Sequence, residues 1–538
     1  MTPHTERVDL RLTPLCPIHV GAGEEFDPTG YVIDEGVLFH FDPAAVPLGV
    51  ADRKALLAAV NQQGDAAILA VQRFFSDRAD ICKGAARQAV PVAAGVAAQY
   101  HKRVGRVAQR EQNGGRVANL LEIERTMHHP HSGMAYLPGS SLKGAMRTAW
   151  LDRINDNRAR PRDERASAME KRLLDGGAFH TDPFRLLALG DATGTQVASH
   201  VYFSTNHKKR LVQRDGQEMQ GRGPSARREC VAAGQYGALA CALAVDNLDG
   251  RHDPVRTPSP TGRISGWLDL ATACNRYYLP RIHRELDMLD ERRFVSPEWL
   301  RGMRLLLTQL APAFASGDAL LLRVGRHSGA ENVTLDGVRE IRIMKGPGQP
   351  AEWSDVGATT VWLAAEHDND RTGMQPFGWL LLHRAAQPLP ALQTWCDTQP
   401  KPDLSAITEK LHAARQLQQQ ARLQLLADQA ERLRAAAEAQ QAAAMLAERL
   451  QSLSEQGRAV EALRTQLQAH TAARKQPVGG QLYQHLRKLL QQAEQGDWPQ
   501  ADRVALADLT RTLVPEKVDL GGKAKEIKQA AARLSVAS

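Results

Sequence analysis

Three glycine turns carry the residue types best suited to chemistry. The first, residues 19–23 (HVGAG), holds His19, Gly21 and Gly23 directly after an apolar run. The second, residues 136–149 (YLPGSSLKGAMRTA), holds Ser140, Ser141, Lys143 and Arg147. The third, residues 323–335 (RVGRHSGAENVTL), holds Arg323, Gly325, Arg326, His327, Ser328 and Gly329. Glycines let a backbone expose its N–H groups to a ligand, and such concave turns bind anions. Each turn by itself is also an ordinary chain reversal.

The second turn is physically the most specific. Ser140 or Ser141 is placed to cap a helix whose first N–H groups and positive dipole end favour an anion. Lys143 falls in the first turn and Arg147 four residues on, on the same face. Two cations there cost stability unless an anion or an acidic side chain compensates. A Walker A loop is excluded, because Gly144 is followed by Ala145 and not by Lys.

Other candidates are weaker. His128, His129 and His131 cluster around Pro130 without adjacent Cys or acidic residues, so they do not form a recognisable metal set. Asp191, isolated in LALGDATG, suits a metal-dependent ribonuclease only if a flexible loop completes the site; a solvated turn carboxylate is the simpler reading. Residues 206–229 read as a mobile basic loop, solvated or in contact with nucleic acid. No Ser-His-Asp order, HExxH or EF-hand loop is present. No cofactor is expected.

The elements that must position these turns follow from pattern. Val8, Leu10 and Leu12 alternate with Arg7, Asp9 and Arg11, which predicts a strand ending at Pro14. Residues 31–42 predict a hairpin turning at Asp34, Glu35 and Gly36. Helices are expected over 53–63, 64–82, 142–154, 266–290 and 297–315, and strands over 196–205, 236–247, 319–325 and 378–384. The fold class is α+β, with two ferredoxin-like domains, 1–195 and 196–390. Residues 403–456 contain no Gly or Pro and read as a long helix, roughly 80 Å if continuous. Its imperfect apolar stripe favours an antiparallel helical hairpin over a parallel coiled coil, within an all-helical extension over 391–538. Residues 476–480 (QPVGG) break it.

The 538 residues carry a net charge of +8, compatible with a polyanionic partner. Residues 1–400 hold 48 Lys or Arg against 45 Asp or Glu, so an anion site there must come from local clustering. The six cysteines include no CxxC pair, which points to reduced thiols. No apolar leader and no membrane-length apolar run is visible, so a cytoplasmic protein without a membrane partner is expected.

The order of these motifs resembles the RAMP superfamily of CRISPR effector proteins. The resemblance is carried by HVGAG, YLPGSSLKGAMRTA, RRECVAAGQYGALACALAVD, VGRHSG and QPFGWLLLH, and covers roughly residues 7–385. It is most similar to the RAMP subunits that cap type III-A (Csm) complexes. The resemblance implies tandem ferredoxin-like (RRM-related) RAMP domains and a non-catalytic role in binding crRNA. It implies capping at the crRNA 3′ end, support of 3′ maturation in antiviral defence, and recruitment of host nucleases. The partners implied are crRNA and neighbouring RAMP backbone subunits. By match to the motifs, the implied RNA-binding residues are His19, Gly21, Gly23, Ser140, Ser141, Lys143, Arg147, Gly325, Arg326, His327, Ser328 and Gly329, and Arg323 is expected to add charge beside them. The helical tail after about 391 departs from the family pattern, and docking of a neighbouring subunit or a recruited nuclease is an expectation for it. Alternatives are a head subunit of another type III complex, a ribonuclease using Asp191, and a coiled-coil scaffold.

Overall fold

The structure is a computed structural model that describes residues 5–106, 109–110, 116–117, 121–161, 164, 166–174, 176–177, 182–214, 217–218, 221, 225–246, 262–344, 348–471 and 474–536. The chain forms two compact units, Met1–Arg422 and Leu423–Ser538. The first mixes strands and helices, and the second is helical.

The predicted first strand, Thr5–Pro14, lies in the middle of a five-stranded sheet. Trp379–Arg384 pairs with it on one side and Leu239–Asp246 on the other, both antiparallel. Ala319–Arg323 and Leu187–Leu189 extend the sheet at its two edges. Leu10 and Leu12 are buried while Arg7, Asp9 and Arg11 face solvent, as the alternation requires. Leu320–Leu322 and Leu380–Leu382 show no alternation because both their faces are covered. Helices Gly139–Asn155 and Trp267–Glu291 pack on this sheet and on each other, with Trp150, Trp267 and Trp379 fully buried among them. Asn275 bonds the sheet directly: its amide donates to the carbonyls of Phe314 and Ala319, and its oxygen accepts from the N–H of Leu321.

A second sheet of six strands runs Gln375–Pro376, Thr360–Ala365, Ser199–Lys208, Ala226–Val231, Ile123–Thr126, Gly21–Phe26. A third contains the expected hairpin, Tyr31–Asp34 and Val37–Phe41, plus Ala86–Pro91. Glu35 and Gly36 both take positive φ, 46° and 73°, the geometry a two-residue hairpin turn requires. Helices Val50–Val60, Asp65–Ser76 and Ala79–Gly84 cover it, with Phe39, Phe41, Phe74 and Phe75 in its core.

A boundary at residue 195 cuts both large sheets, each of which draws strands from either side of it. Strands pair where hydrogen bonds and apolar faces match, and chain order does not limit the choice. The expected boundary at 390 also shifts. Helix Leu404–Ser452 starts within the first unit, where Ile407 and Leu411 pack on the third sheet's core and Lys410 pairs with Glu35 at 2.6 Å. Residues 419–449 of this helix are all exposed, so the expected antiparallel hairpin is absent among the described residues. Its Ala, Leu, Gln, Glu and Arg content sustains a helix without a partner. The second unit has its own core, built by Val460, Leu463, Leu467, Leu486, Leu490, Leu506 and Ala531 from helices Glu455–Ala469, Gln481–Gln495, Gln500–Thr512 and Ala524–Leu534. Among the described residues no helix is long and apolar enough to cross a membrane.

Candidate nucleic-acid interface

Two of the three glycine turns meet. The first sheet delivers residue 19 from the end of one strand and residue 325 from the end of another. Ile18 and Val231 exchange both backbone hydrogen bonds, at 3.0 and 2.8 Å, which fixes the first turn against the second sheet. Val324 N–H donates to Gly378 O at 2.9 Å and Arg326 N–H to His19 O at 2.8 Å, which fixes the third. Gly325 has φ 81°, and a Cβ there would lie 2.4 Å from His19 O, so the close approach demands glycine. Ser328 Oγ donates to Gly325 O at 2.6 Å, and Asn332 Nδ2 donates to Ser328 O at 2.7 Å. Gly329 also takes a positive φ, 82°.

His327 adopts φ 67° and stacks on Trp362 with ring centres 4.6 Å apart. Burial, reinforced by Arg228 and Arg326, pushes its pKa down to about 3. Burial likewise pushes His19 down to about 4, so both rings are neutral at physiological pH. His19 Nδ1 lies 2.7 Å from Glu229 O, which makes Nδ1 the protonated nitrogen, and its Nε2 lies 3.7 Å from Glu124 Oε2. Gly21 lies beside that ring, and Gly23, at φ 75°, faces open space. Arg326 is 57% exposed and reaches Glu124 at 3.2 Å. The junction therefore presents one accessible guanidinium beside an open glycine turn, over a buried neutral base.

The second turn occupies a different place and answers to carboxylates of its own chain. Helix Gly139–Asn155 starts after Pro138, so Ser140 and Ser141 lie inside its first turn and make no cap hydrogen bond. The cap is supplied from elsewhere: Gly139 N–H donates to Asp191 Oδ1 at 2.8 Å. A serine inside the first turn has helical backbone angles, and capping needs an extended residue before it. Lys143 Nζ donates to Leu187 O at 2.7 Å, and Arg147 pairs with Asp182 at 2.7 Å and lies over the Phe184 ring. Burial holds Lys143 below the ordinary lysine range, Asp182 pulling it back and Arg147 adding to the fall. Arg323 is buried as well, bonded to Glu285 at 2.6 Å and lying over Trp379.

Pattern reasoning missed a polar layer in the second sheet. Arg228 pairs closely with Glu124 and its Nε donates to Ser204 Oγ at 3.1 Å. Glu229, fully buried, accepts from Ser199 Oγ at 3.1 Å, Gln88 Nε2 at 3.1 Å and the Thr126 N–H at 3.3 Å, with Arg125 at 3.9 Å. Burial pushes its carboxyl up to about 7 against the pull of those partners. The only sequence signal was charge inside RRECV, a strand too apolar at its end to be a loop. Residues 206–229 are accordingly not one loop. Asn206–Lys208 ends a strand and Ala226–Glu229 begins another, because both segments find ladder partners. Residues 215–216, 219–220 and 222–224 of that stretch lie outside the described residues.

His128 Nε2 faces Glu24 at 3.6 Å, and the His129 and His131 rings are 5.8 Å apart. Among the described residues no group of three or more His, Cys, Asp or Glu is placed to share an ion. All six cysteines are unpaired, and five are buried.

Residues 11–224 match the family model of the RAMP superfamily. Solved structures also resemble the chain, among them two from CRISPR systems. One is a chain of the cryo-EM structure of a Csm–crRNA–target RNA ternary complex of a type III-A CRISPR-Cas system, 16% identical, covering 70% of this chain and 100% of that one, with a TM-score of 0.40. The other is the crystal structure of T. onnurineus Csm5, 16% identical, covering 69% of this chain and 99% of that one, with a TM-score of 0.38. No curated protein matches the chain.

Proposed function

We propose, on the premise that residues 11–224 are a RAMP superfamily segment, that this chain is a non-catalytic crRNA-binding subunit of a type III-A CRISPR (Csm) effector complex. In this reading it corresponds to the fifth subunit, caps the crRNA 3′ end of the filament and supports 3′ maturation. The first sheet supports a ferredoxin-like unit: its strands and the helices Gly139–Asn155 and Trp267–Glu291 follow a split βαβ order.

The observation that carries the proposal is the junction of residues 19–23 with 325–329. Two motifs some 300 positions apart in the chain, both parts of the family resemblance, bond to each other through His19 O and Arg326 N. Arg326, largely exposed although paired with Glu124, can exchange that carboxylate for an RNA phosphate, and the open face at Gly23 lets a backbone approach. Recognition of this kind is largely independent of sequence and weakens with salt. Lys143 and Arg147 serve this reading indirectly, by holding the helix that carries them to residues 182–187.

The test is Arg326→Glu in the purified effector complex. The expected result is reduced crRNA yield or altered 3′ ends, with the variant's thermal melt unchanged. Wild-type crRNA length and yield would sink the proposal.

A further inference from the structure

A cavity of about 540 Å³ opens between helix Trp267–Glu291, the end of strand Ser199–Lys208 and residues 354–359. Its acidic residues are already committed. Glu285 is bonded to Arg323 at 2.6 Å, and Glu331 is paired closely with Lys209. Arg281 and Arg339 are committed too, both paired with Asp336, and Arg281 lies over the Tyr277 ring. That leaves Lys208, Arg210 and Arg284 facing the cavity, with no carboxylate partner among the described residues. Arg284 spends only its Nε, on Pro280 O at 3.1 Å.

Three uncompensated cations on one concave wall repel each other and raise the local positive potential, which an anion relieves. Arginine matches phosphate best, through its planar fork of donors. The space exceeds what a phosphate alone fills, and Val212, Met288 and Val356 add an apolar side to the same cavity. We propose that this cavity binds a nucleoside monophosphate, with the phosphate on Lys208, Arg210 and Arg284 and the base against the apolar residues. Its source is either the phosphorylated end of an RNA chain or a free nucleotide. The first source rests on the RNA-binding reading above, and the nucleotide chemistry does not.

The probe is adenosine 3′-monophosphate, titrated calorimetrically into the full-length protein at low salt. Binding is expected, with adenosine alone weaker by about 10-fold or more, and Arg210→Glu with Arg284→Glu weakening the nucleotide by at least about 10-fold. Should the double variant melt early, the single Arg210→Gln and Arg284→Gln variants serve, each expected to weaken binding several-fold. No binding by the wild type, or equal binding by variants that fold normally, overturns the proposal. Short RNAs differing only in a 3′-phosphate or 3′-hydroxyl identify the source: a preference for the phosphate lost in the double variant assigns the RNA end, and equal binding assigns the free nucleotide. Loss of RNA binding in Arg326→Glu is a separate measurement, so failure of either proposal is recognisable on its own.

Discussion

At the scale of single residues, Asp191 holds the first N–H of helix Gly139–Asn155 from 52 positions further along the chain. Asp191→Ala should cost about 1 kcal/mol of stability, and Asp191→Asn much less because an acceptor remains. Urea unfolding of the two variants checks this; equal losses would mean the charge, and not the acceptor, matters. Gly325→Ala is expected to be harsher, about 2 to 3 kcal/mol, since it forces both a positive φ and a clash with His19 O. A normal melt for that variant would show that the two turns separate without penalty. The need for a negative group at residues 139–147 was legible in the sequence. Its identity was not, because Asp191 and Asp182 are distant in the chain and look like any turn carboxylate. Glu124 and Glu229 were equally hidden, as single charges inside short strands.

At the scale of elements, strands and helices were legible wherever alternation or helical spacing ran long enough. The first strand, the 31–41 hairpin and the helices at 139–155 and 267–291 all stand within a few residues of expectation. Sheet membership was not legible, since partner choice depends on faces brought together from across the chain. Lys143 and Arg147 show what such an element-level link is worth. Together they tie one helix to the segment 182–187, so Lys143→Ala with Arg147→Ala should cost about 2 kcal/mol and lower Tm by a few degrees. Calorimetry decides: an unchanged Tm would mean the two side chains are free to serve RNA directly.

At the scale of the whole molecule, burial sets the pH response. His19, His40, His200 and His383 are pushed down to about 4 and His327 to about 3, each chiefly by burial. The unfolded chain protonates these rings near pH 6.5, so the stability they contribute is complete above that pH and is lost as pH falls toward 4. Glu229 works the other way. Pushed up to about 7, it favours the folded state at low pH and loses that contribution as pH rises from about 4.5 through 7. Tm should therefore drop steeply between pH 6.5 and 4.5, and Glu229→Gln, which removes the opposing contribution, should make Tm rise more from pH 6 to pH 8 than in the parent protein. A Tm flat down to pH 4.5 would refute the histidine account. The two units have separate cores, and Arg422, Arg432 and Arg434 lie on the exposed stretch of helix Leu404–Ser452. Brief trypsin treatment should cut there and release two fragments that each melt cooperatively; a fragment that is degraded at once would contradict that independence.

The central position of Thr5–Pro14 also has a consequence during synthesis. One of its two neighbours, Trp379–Arg384, leaves the ribosome roughly 20 to 70 s after it, at ordinary elongation rates. Throughout that interval the nascent chain carries an apolar strand with one flank unfilled, a target for chaperones and for stray pairing with other chains. A transcript that stops before residue 379 should yield aggregate, however complete its early segments look, and one that runs past the first unit should yield soluble protein.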